Sequence, residues 1–156
     1  MAPWPGAPLE QTGDPMADAV GPASYALRAE TPDLTAEGHV KIVPMRDAAS
    51  FSVAAEDPDP RGKRVIGADG AVAGTVTDIW VDRSEMMVRY YEVALPVEGR
   101  RKPVTVLLPY GFARVRGDGE IRVDSILSGQ FAGVPKTAAP DRITLREEDR
   151  IMAYYA

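Results

Sequence analysis

The 156-residue chain contains no cysteine. That removes disulfides, thiolate nucleophiles and cysteine-based zinc or iron–sulfur sites together. It contains one histidine, His39. No Ser/His/Asp arrangement is suggested by local motifs, no Gly-Lys-Ser/Thr loop cradles a phosphate, and no GxGxxG fingerprint follows a strand. A catalytic centre is therefore not expected, and neither is a metal site. No stretch approaches the 18 or so apolar residues that span a bilayer, and no charged-then-apolar leader precedes the first segment. As given, the chain is expected to be soluble and cytoplasmic. A basic excess is missing as well. The formal charge is −5, and residues 1–40 hold six acids against Arg28 alone, while the rest of the chain is balanced. A phosphate-rich partner such as nucleic acid needs a basic surface, and the compact run Arg100-Arg101-Lys102 reads as a solvated turn.

What is present separates into three parts. Residues 1–45 are rich in proline and glycine, which oppose regular elements. They read as an extended arm, disordered over residues 1–12, with apolar anchors at Met16, Val20, Tyr25, Leu27 and Leu34. Residues 46–135 read as a β domain. Asp69-Gly70 is a tight-turn signal before an apolar stretch from Val72 to Val81. The parity of that stretch changes between Val76 and Ile79, which predicts a bulge or a strand buried on both faces. Met86–Leu95 is a second strand. Val104, Val106 and Leu108 share one face of a third. Ala113 and Val115, then Ile121 and Val123, alternate with polar residues around Gly117-Asp118-Gly119. This pattern predicts a hairpin with one wet face and cross-strand charge pairs. Short strands joined by glycine turns predict a mainly β fold, a small antiparallel barrel or sandwich. In residues 136–156 the period changes. Thr144-Leu-Arg-Glu147 is a capping box, so a short helix is expected from about residue 144. Glu147, Glu148 and Asp149 suit its first turn, and Ile151, Met152 and Tyr155 form its apolar side. The stop at Ala156 suggests a trimmed chain or a docking helix.

Two titratable groups stand out. Asp33, Glu37, His39 and Lys41 lie close together in sequence. Their spacing matches no metal motif, so a solvated cluster that changes charge near neutral pH is expected. Asp78, Asp82, Glu85 and Glu92 run from one strand through a turn into the next. They read either as carboxylates paired with Arg83 and Arg89 or as proton-exchanging groups beside a partner. Trp80 is core or a binding anchor. Tyr90-Tyr91 should bury one ring and offer the other to a partner.

A series of segments carries more than periodicity. Gly13-Asp-Pro-Met16, Val20-Gly-Pro-Ala-Ser-Tyr25, Lys41-Ile-Val-Pro-Met45, Asp78-Ile-Trp-Val-Asp82, Leu107-Leu-Pro109, Phe131-Ala-Gly-Val-Pro135 and Ile143-Thr-Leu-Arg-Glu-Glu-Asp149 occur in that order. Together they resemble the cytoplasmic part of the H subunit of the purple-bacterial photosynthetic reaction centre. The resemblance implies a PRC-type β-barrel and a non-catalytic subunit whose full-length relatives begin with a single membrane helix. It implies a cap on the L and M subunits that stabilises the quinone–iron region and conducts protons toward the secondary quinone, at the cytoplasmic face of the photosynthetic membrane. Bacteriochlorophyll, bacteriopheophytin, quinones and non-haem iron would all belong to other subunits. It implies proton-transfer roles for Asp33, Glu37, His39, Asp82 and Glu85, with Lys41 and Arg89 as supporting charge. Glu37 stands where relatives can have a second histidine and Thr35 where they can have an aspartate, which argues against a surface zinc site. The alternative is another PRC-barrel module, ribosome-maturation-like or regulatory, since a shared fold does not fix function.

Overall fold

The structure is a computed structural model that describes residues 30–48, 59–99 and 102–156. The readings made on residues 1–29, with the anchors Met16, Val20, Tyr25 and Leu27, and on Arg100 and Arg101 lie outside the described residues.

The fold is mainly β, with seven strands in one sheet and a short C-terminal helix. The strands are β1 (Ile42–Pro44), β2 (Arg64–Ile66), β3 (Val72–Asp82), β4 (Met87–Leu95), β5 (Val104–Pro109), β6 (Arg114–Val115) and β7 (Ile121–Arg122). Helix α1 spans Leu145–Tyr155. β3 is the spine. One edge pairs with β4 along most of its length, while β2 and β1 divide the other edge between them. The strand path runs β5-β4-β3-β2-β7-β6, and no pairing joins β5 to β6. All pairs are antiparallel except β2 with β7, so the sheet departs from a purely antiparallel one at that single seam.

The parity change predicted in β3 is present as a bulge. Val76 faces Val93 and Asp78 faces Glu92, which leaves Thr77 as the extra residue. A second shift makes Arg89 the extra residue of β4, between Tyr90 opposite Trp80 and Val88 opposite Val81. Bulges bend a strand and re-aim side chains. Beyond the first one, Asp78 to Asp82 are buried without alternation. That is what a strand covered on both faces requires, and it explains why two acids sit inside an apolar run.

Trp80 belongs to the core, with Ile79, Val93, Leu108 and Ile121. Tyr90 and Tyr91 are both buried, so neither ring is held out for a partner. The shift at Arg89 breaks simple alternation, and Tyr91 packs against the exposed ring of Tyr110. In the predicted hairpin, Ile121 and Val123 are buried but Val115 is exposed, because β6 is the sheet edge and has only β7 beside it. The charge pairs are there: Arg114 reaches Asp124 at 2.7 Å.

α1 begins with the predicted capping box. Glu147 N–H donates to Thr144 Oγ1 and Thr144 N–H donates to Glu147 Oε1. The helix docks on its own domain. Ile151 and Tyr155 are fully buried, each contributing roughly 1.5–3 kcal/mol by apolar burial, and Tyr155 O–H donates to the Leu107 carbonyl at 3.0 Å. Residues 30–41 are stitched to both the helix and the sheet. Leu145 N–H donates to the Thr31 carbonyl, Arg146 pairs with Glu30, and Arg83 N–H donates to the Lys41 carbonyl.

Candidate functional site: two carboxylate junctions

The four acids read as one cluster in the sequence separate into two junctions and one outlier. At the first junction, Asp78 and Glu92 face each other across β3 and β4, and both are buried. Arg46, in the short 3-10 turn after β1, donates from Nη1 to Asp78 Oδ2 at 2.9 Å and to Glu92 Oε1 at 3.0 Å. Its Nη2 donates to the Pro140 carbonyl at 2.7 Å. Thr77 O–H and Trp80 Nε1–H donate to the two Glu92 oxygens, and Ile79 N–H donates to Asp78 Oδ1. Burial draws the Arg46 guanidinium down, but its bonds to Glu92 and Asp78 outweigh that and hold its pKa above the ordinary value. The junction is closed, with every carboxylate oxygen engaged.

The second junction is open at one end. Asp82 is fully buried at the end of β3, and its Oδ1 accepts from Ser84 N–H at 2.8 Å and Glu85 N–H at 3.1 Å. That carboxylate shapes the β3–β4 turn as an Asx motif, in which Met86 takes a left-handed φ of 57°. Its Oδ2 lies 3.6 Å from Lys41 Nζ and 3.2 Å from Arg89 Nη1. Each cation is shared. Lys41 also reaches Asp33 at 3.6 Å, and Arg89 also reaches Glu148 of α1 at 3.4 Å. Tyr90 O–H then donates to Glu148 Oε1 at 3.0 Å. The result is a ladder of alternating charge, Asp33–Lys41–Asp82–Arg89–Glu148, ending on a buried phenol. Side-chain exposure falls from 42% at Asp33 through 19% at Lys41 to 0% at Asp82. Both of its cations remain partly accessible, Arg89 at 33%.

Glu148 is the group whose chemistry the fold alters. Burial raises its pKa; the Tyr90 hydrogen bond and Arg89 pull it part of the way back, and Asp33 and Asp149 push it up again. Burial also drives the Tyr90 phenol far above its usual range, so it stays a proton donor.

The sequence-predicted residues are placed as follows. Asp33, Lys41, Asp82 and Arg89 are brought together. His39 and Glu37 stand exposed on the turn of the 34–40 hairpin, which is closed by Thr35 N–H donating to the His39 carbonyl, with Gly38 at φ 86° where a side chain would be strained. Glu85 is exposed on the β3–β4 turn. The structure does not join these three side chains to the ladder. Among the described residues Arg83 pairs with no acid; its guanidinium donates to the Val40 carbonyl. Two participants were not foreseen. Arg46 carries no local signal, because its partners are 32 and 46 residues away. Glu148 did carry one: with Ile151 and Tyr155 it occupies i, i+3 and i+7, one face of α1. Among the described residues no group of three His, Asp or Glu is arranged to hold a metal ion, and the donors at both junctions are already spent on hydrogen bonds and ion pairs.

Comparison with known families gives two matches that together cover most of the chain. Residues 1–47 match the family described as photosynthetic reaction centre, H-chain N-terminal region, and residues 53–129 match the PRC-barrel domain.

Proposed function

Taking the chain as a photosynthetic reaction-centre H-subunit-like protein built on a PRC-barrel domain, we propose that it caps the L and M subunits, stabilises the quinone region and assists proton delivery to the secondary quinone. The coarser role, that of a reaction-centre subunit, follows from the family. That family is structural and non-catalytic, binds no cofactor itself and lies on the cytoplasmic side of a membrane. No helix among the described residues is long and apolar enough to cross a membrane. In the proposed assembly the bacteriochlorophyll, bacteriopheophytin, quinones and iron sit in the partners.

The observation that carries the reading is the ladder from Asp33 to Glu148. Its outer end at Asp33 is accessible, its middle carboxylate Asp82 is fully buried, and its far end at Glu148 is partly buried against the Tyr90 phenol, an arrangement that suits a route from solvent toward a covered site. Along it, Lys41 and Arg89 separate the carboxylates, so like charges do not sit directly against each other. Glu148, whose proton affinity is raised by burial, is the member of the ladder best suited to hold a proton. Glu37 and His39 stand exposed at the tip of the hairpin whose base carries Asp33 and Lys41, which suits the proposed proton entry without joining them to the ladder. The surroundings fit a covered face. Leu34, next to Asp33, and Met86, next to Glu85, are large apolar side chains left exposed, which suits contact with another subunit. The H-chain match over residues 1–47 favours this reading over other PRC-barrel modules.

The test is made in an assembled reaction centre. Glu85→Gln and Glu148→Gln should each slow the proton-coupled second electron transfer to the quinone, with a changed pH profile. Rates unchanged across pH in both variants would reject the proton role. Failure of the chain to bind reaction-centre cores lacking their H subunit would reject the assembly itself.

A further inference from the structure

The two matched regions meet along one strand edge. β2 to β7 all lie within residues 53–129, the PRC-barrel match, whereas β1 lies within residues 1–47, the H-chain match. The barrel part leaves half of one β3 edge open, because β2 pairs with β3 only from Val72 to Thr75. β1 fills the rest, with Ile42 opposite Asp82, Val43 opposite Val81 and Pro44 opposite Trp80. Among the described residues β1 has no other strand beside it. The charges are divided the same way. The buried acids among the described residues, Asp78, Asp82 and Glu92, belong to the barrel part. Their counter-ions from the H-chain part are Lys41 and Arg46, which flank β1. Each end of β1 is fastened by its cation and by backbone. At the start, Lys41 Nζ lies 3.6 Å from Asp82 Oδ2, Arg83 N–H donates to the Lys41 carbonyl at 2.8 Å, and the Arg83 guanidinium donates to the Val40 carbonyl. Between the ends, Ile42 and Val43 are buried. Pro44 has no N–H to continue the pairing, and the chain turns through Met45–Asp47. That turn has no side-chain cap and buries none of its residues fully. What holds this end is Arg46, whose guanidinium bridges Asp78, Glu92 and the Pro140 carbonyl.

We infer that the β3 edge at Trp80–Asp82 is a strand-docking site that reads two cations at the spacing of Lys41 and Arg46, and that residues 40–47 dock on it as a single unit, a strap. A slip by one residue would displace both cations from their acids at once, so the ion pairs set register as well as affinity. The strap also carries the outer half of the ladder. Asp33 and Lys41 meet Asp82, Arg89 and Glu148 only while it is docked. Weakening the cation at either end should therefore loosen the other end too. This coupling belongs to the chain alone, so it stands or falls apart from the reaction-centre reading.

The test is amide hydrogen exchange of the full chain, in the regime where rates report opening equilibria. The Arg83 amide reports one end of the strap. The Ala48 amide, which closes the turn on the Met45 carbonyl, reports the other. The Val76 and Val123 amides, which donate to the Lys63 and Ile66 carbonyls, report the barrel. The two ends should open with matched protection, below that of the barrel. Lys41→Met should raise exchange at Ala48, and Arg46→Lys at Arg83, each roughly tenfold, a value between those of exposed and buried ion pairs. The barrel amides should not change. Met45→Arg combined with Arg46→Met keeps the composition but moves the cation by one residue; it should loosen both ends at least as much as Arg46→Lys does. Variants that each loosen only their own end would overturn the single unit. Full protection in the shifted-cation variant would overturn the reading of spacing. Barrel amides that rise in step with the strap would overturn the proposal as well, since the strap would then open only when the whole fold does.

Discussion

The two carboxylate junctions are built from the same parts, buried acids at the strand pair β3–β4 with arginine as counter-ion, yet they are organised in opposite ways. At Arg46, two acids share one guanidinium and every oxygen is satisfied by groups that hold the fold. At Asp82, each cation reaches onward to another acid, so the junction has neighbours in two directions and an accessible end. The difference teaches that a buried carboxylate does not by itself mark a working site. What separates a rivet from a route is whether the partners are exhausted.

The largest effect should come from the rivet. Arg46→Met leaves Asp78 and Glu92 buried against each other and frees the Pro140 carbonyl. Breaking a buried pair costs about 3–5 kcal/mol; partial exposure of Arg46 lowers the expectation to roughly 2–4 kcal/mol. Urea denaturation checks it, and Glu92→Gln in the same background should recover part of the loss. A loss within about 0.5 kcal/mol would mean that water replaces the guanidinium and that the junction is not structural.

Asp82→Asn comes next. The amide oxygen can still accept from Ser84 and Glu85 N–H, so the turn survives, but Lys41 and Arg89 lose their common anion. Loss of hydrogen bonds to a charged group predicts about 2 kcal/mol. The comparison sharpens if Lys41→Met and Asp82→Asn are strongly non-additive, as members of one network are. Strict additivity would show that the ladder is a row of independent pairs.

Glu148→Gln probes the inner end through pH. Burial raises the folded-state pKa of Glu148 above its ordinary value of 4.5, and the opposing pull of Tyr90 and Arg89 does not cancel it. The folded state therefore binds this proton more tightly than the unfolded chain does. As pH rises from the ordinary value through the raised one, unfolding free energy falls. The cost is absent below that window and complete above it. Glutamine removes the cost, so the stability of wild type minus variant should decline in urea titrations as pH rises from the ordinary value of 4.5. A difference that rises with pH would mean that the Arg89 contact dominates and that Glu148 is a second rivet.

Much of this was legible in the sequence, for reasons that can be named. The bulge in β3 announced itself because parity along a strand is a local property, and the capping box at Thr144 because both partners lie within one turn. Asp33, Lys41, Asp82 and Arg89 were found as titratable groups near one another in sequence or through the family resemblance. Their division into ladder and rivet was not legible. It depends on Arg46 reaching across 32 residues to Asp78 and on α1 delivering Glu148 across 59 residues to Arg89. Glu148 was read as a helix-dipole acid because its first-turn position satisfied that reading, although its spacing to Ile151 and Tyr155 already placed it on the buried face. One of Tyr90 and Tyr91 was expected to stay available to a partner, and tertiary cover buries both.

The smallest effect on stability is expected at the mouth of the ladder, where it separates fold from function most cleanly. His39 is exposed on a hairpin turn that its backbone, not its imidazole, closes: Thr35 N–H donates to the His39 carbonyl, and His39 N–H donates to Thr35 Oγ1. His39→Gln keeps both bonds and removes only the imidazole, so stability should change by less than about 0.5 kcal/mol. The same variant in an assembled reaction centre should still slow proton uptake, because the imidazole proposed to take part in it is replaced by an amide that cannot bind and release a proton. If uptake is unchanged while Glu148→Gln is impaired, protons reach the ladder at Asp33 without the histidine. If His39→Gln costs more than about 1 kcal/mol, the ring is part of the fold, and the contrast between a route that tolerates change at its mouth and a rivet that tolerates none fails at its outer end.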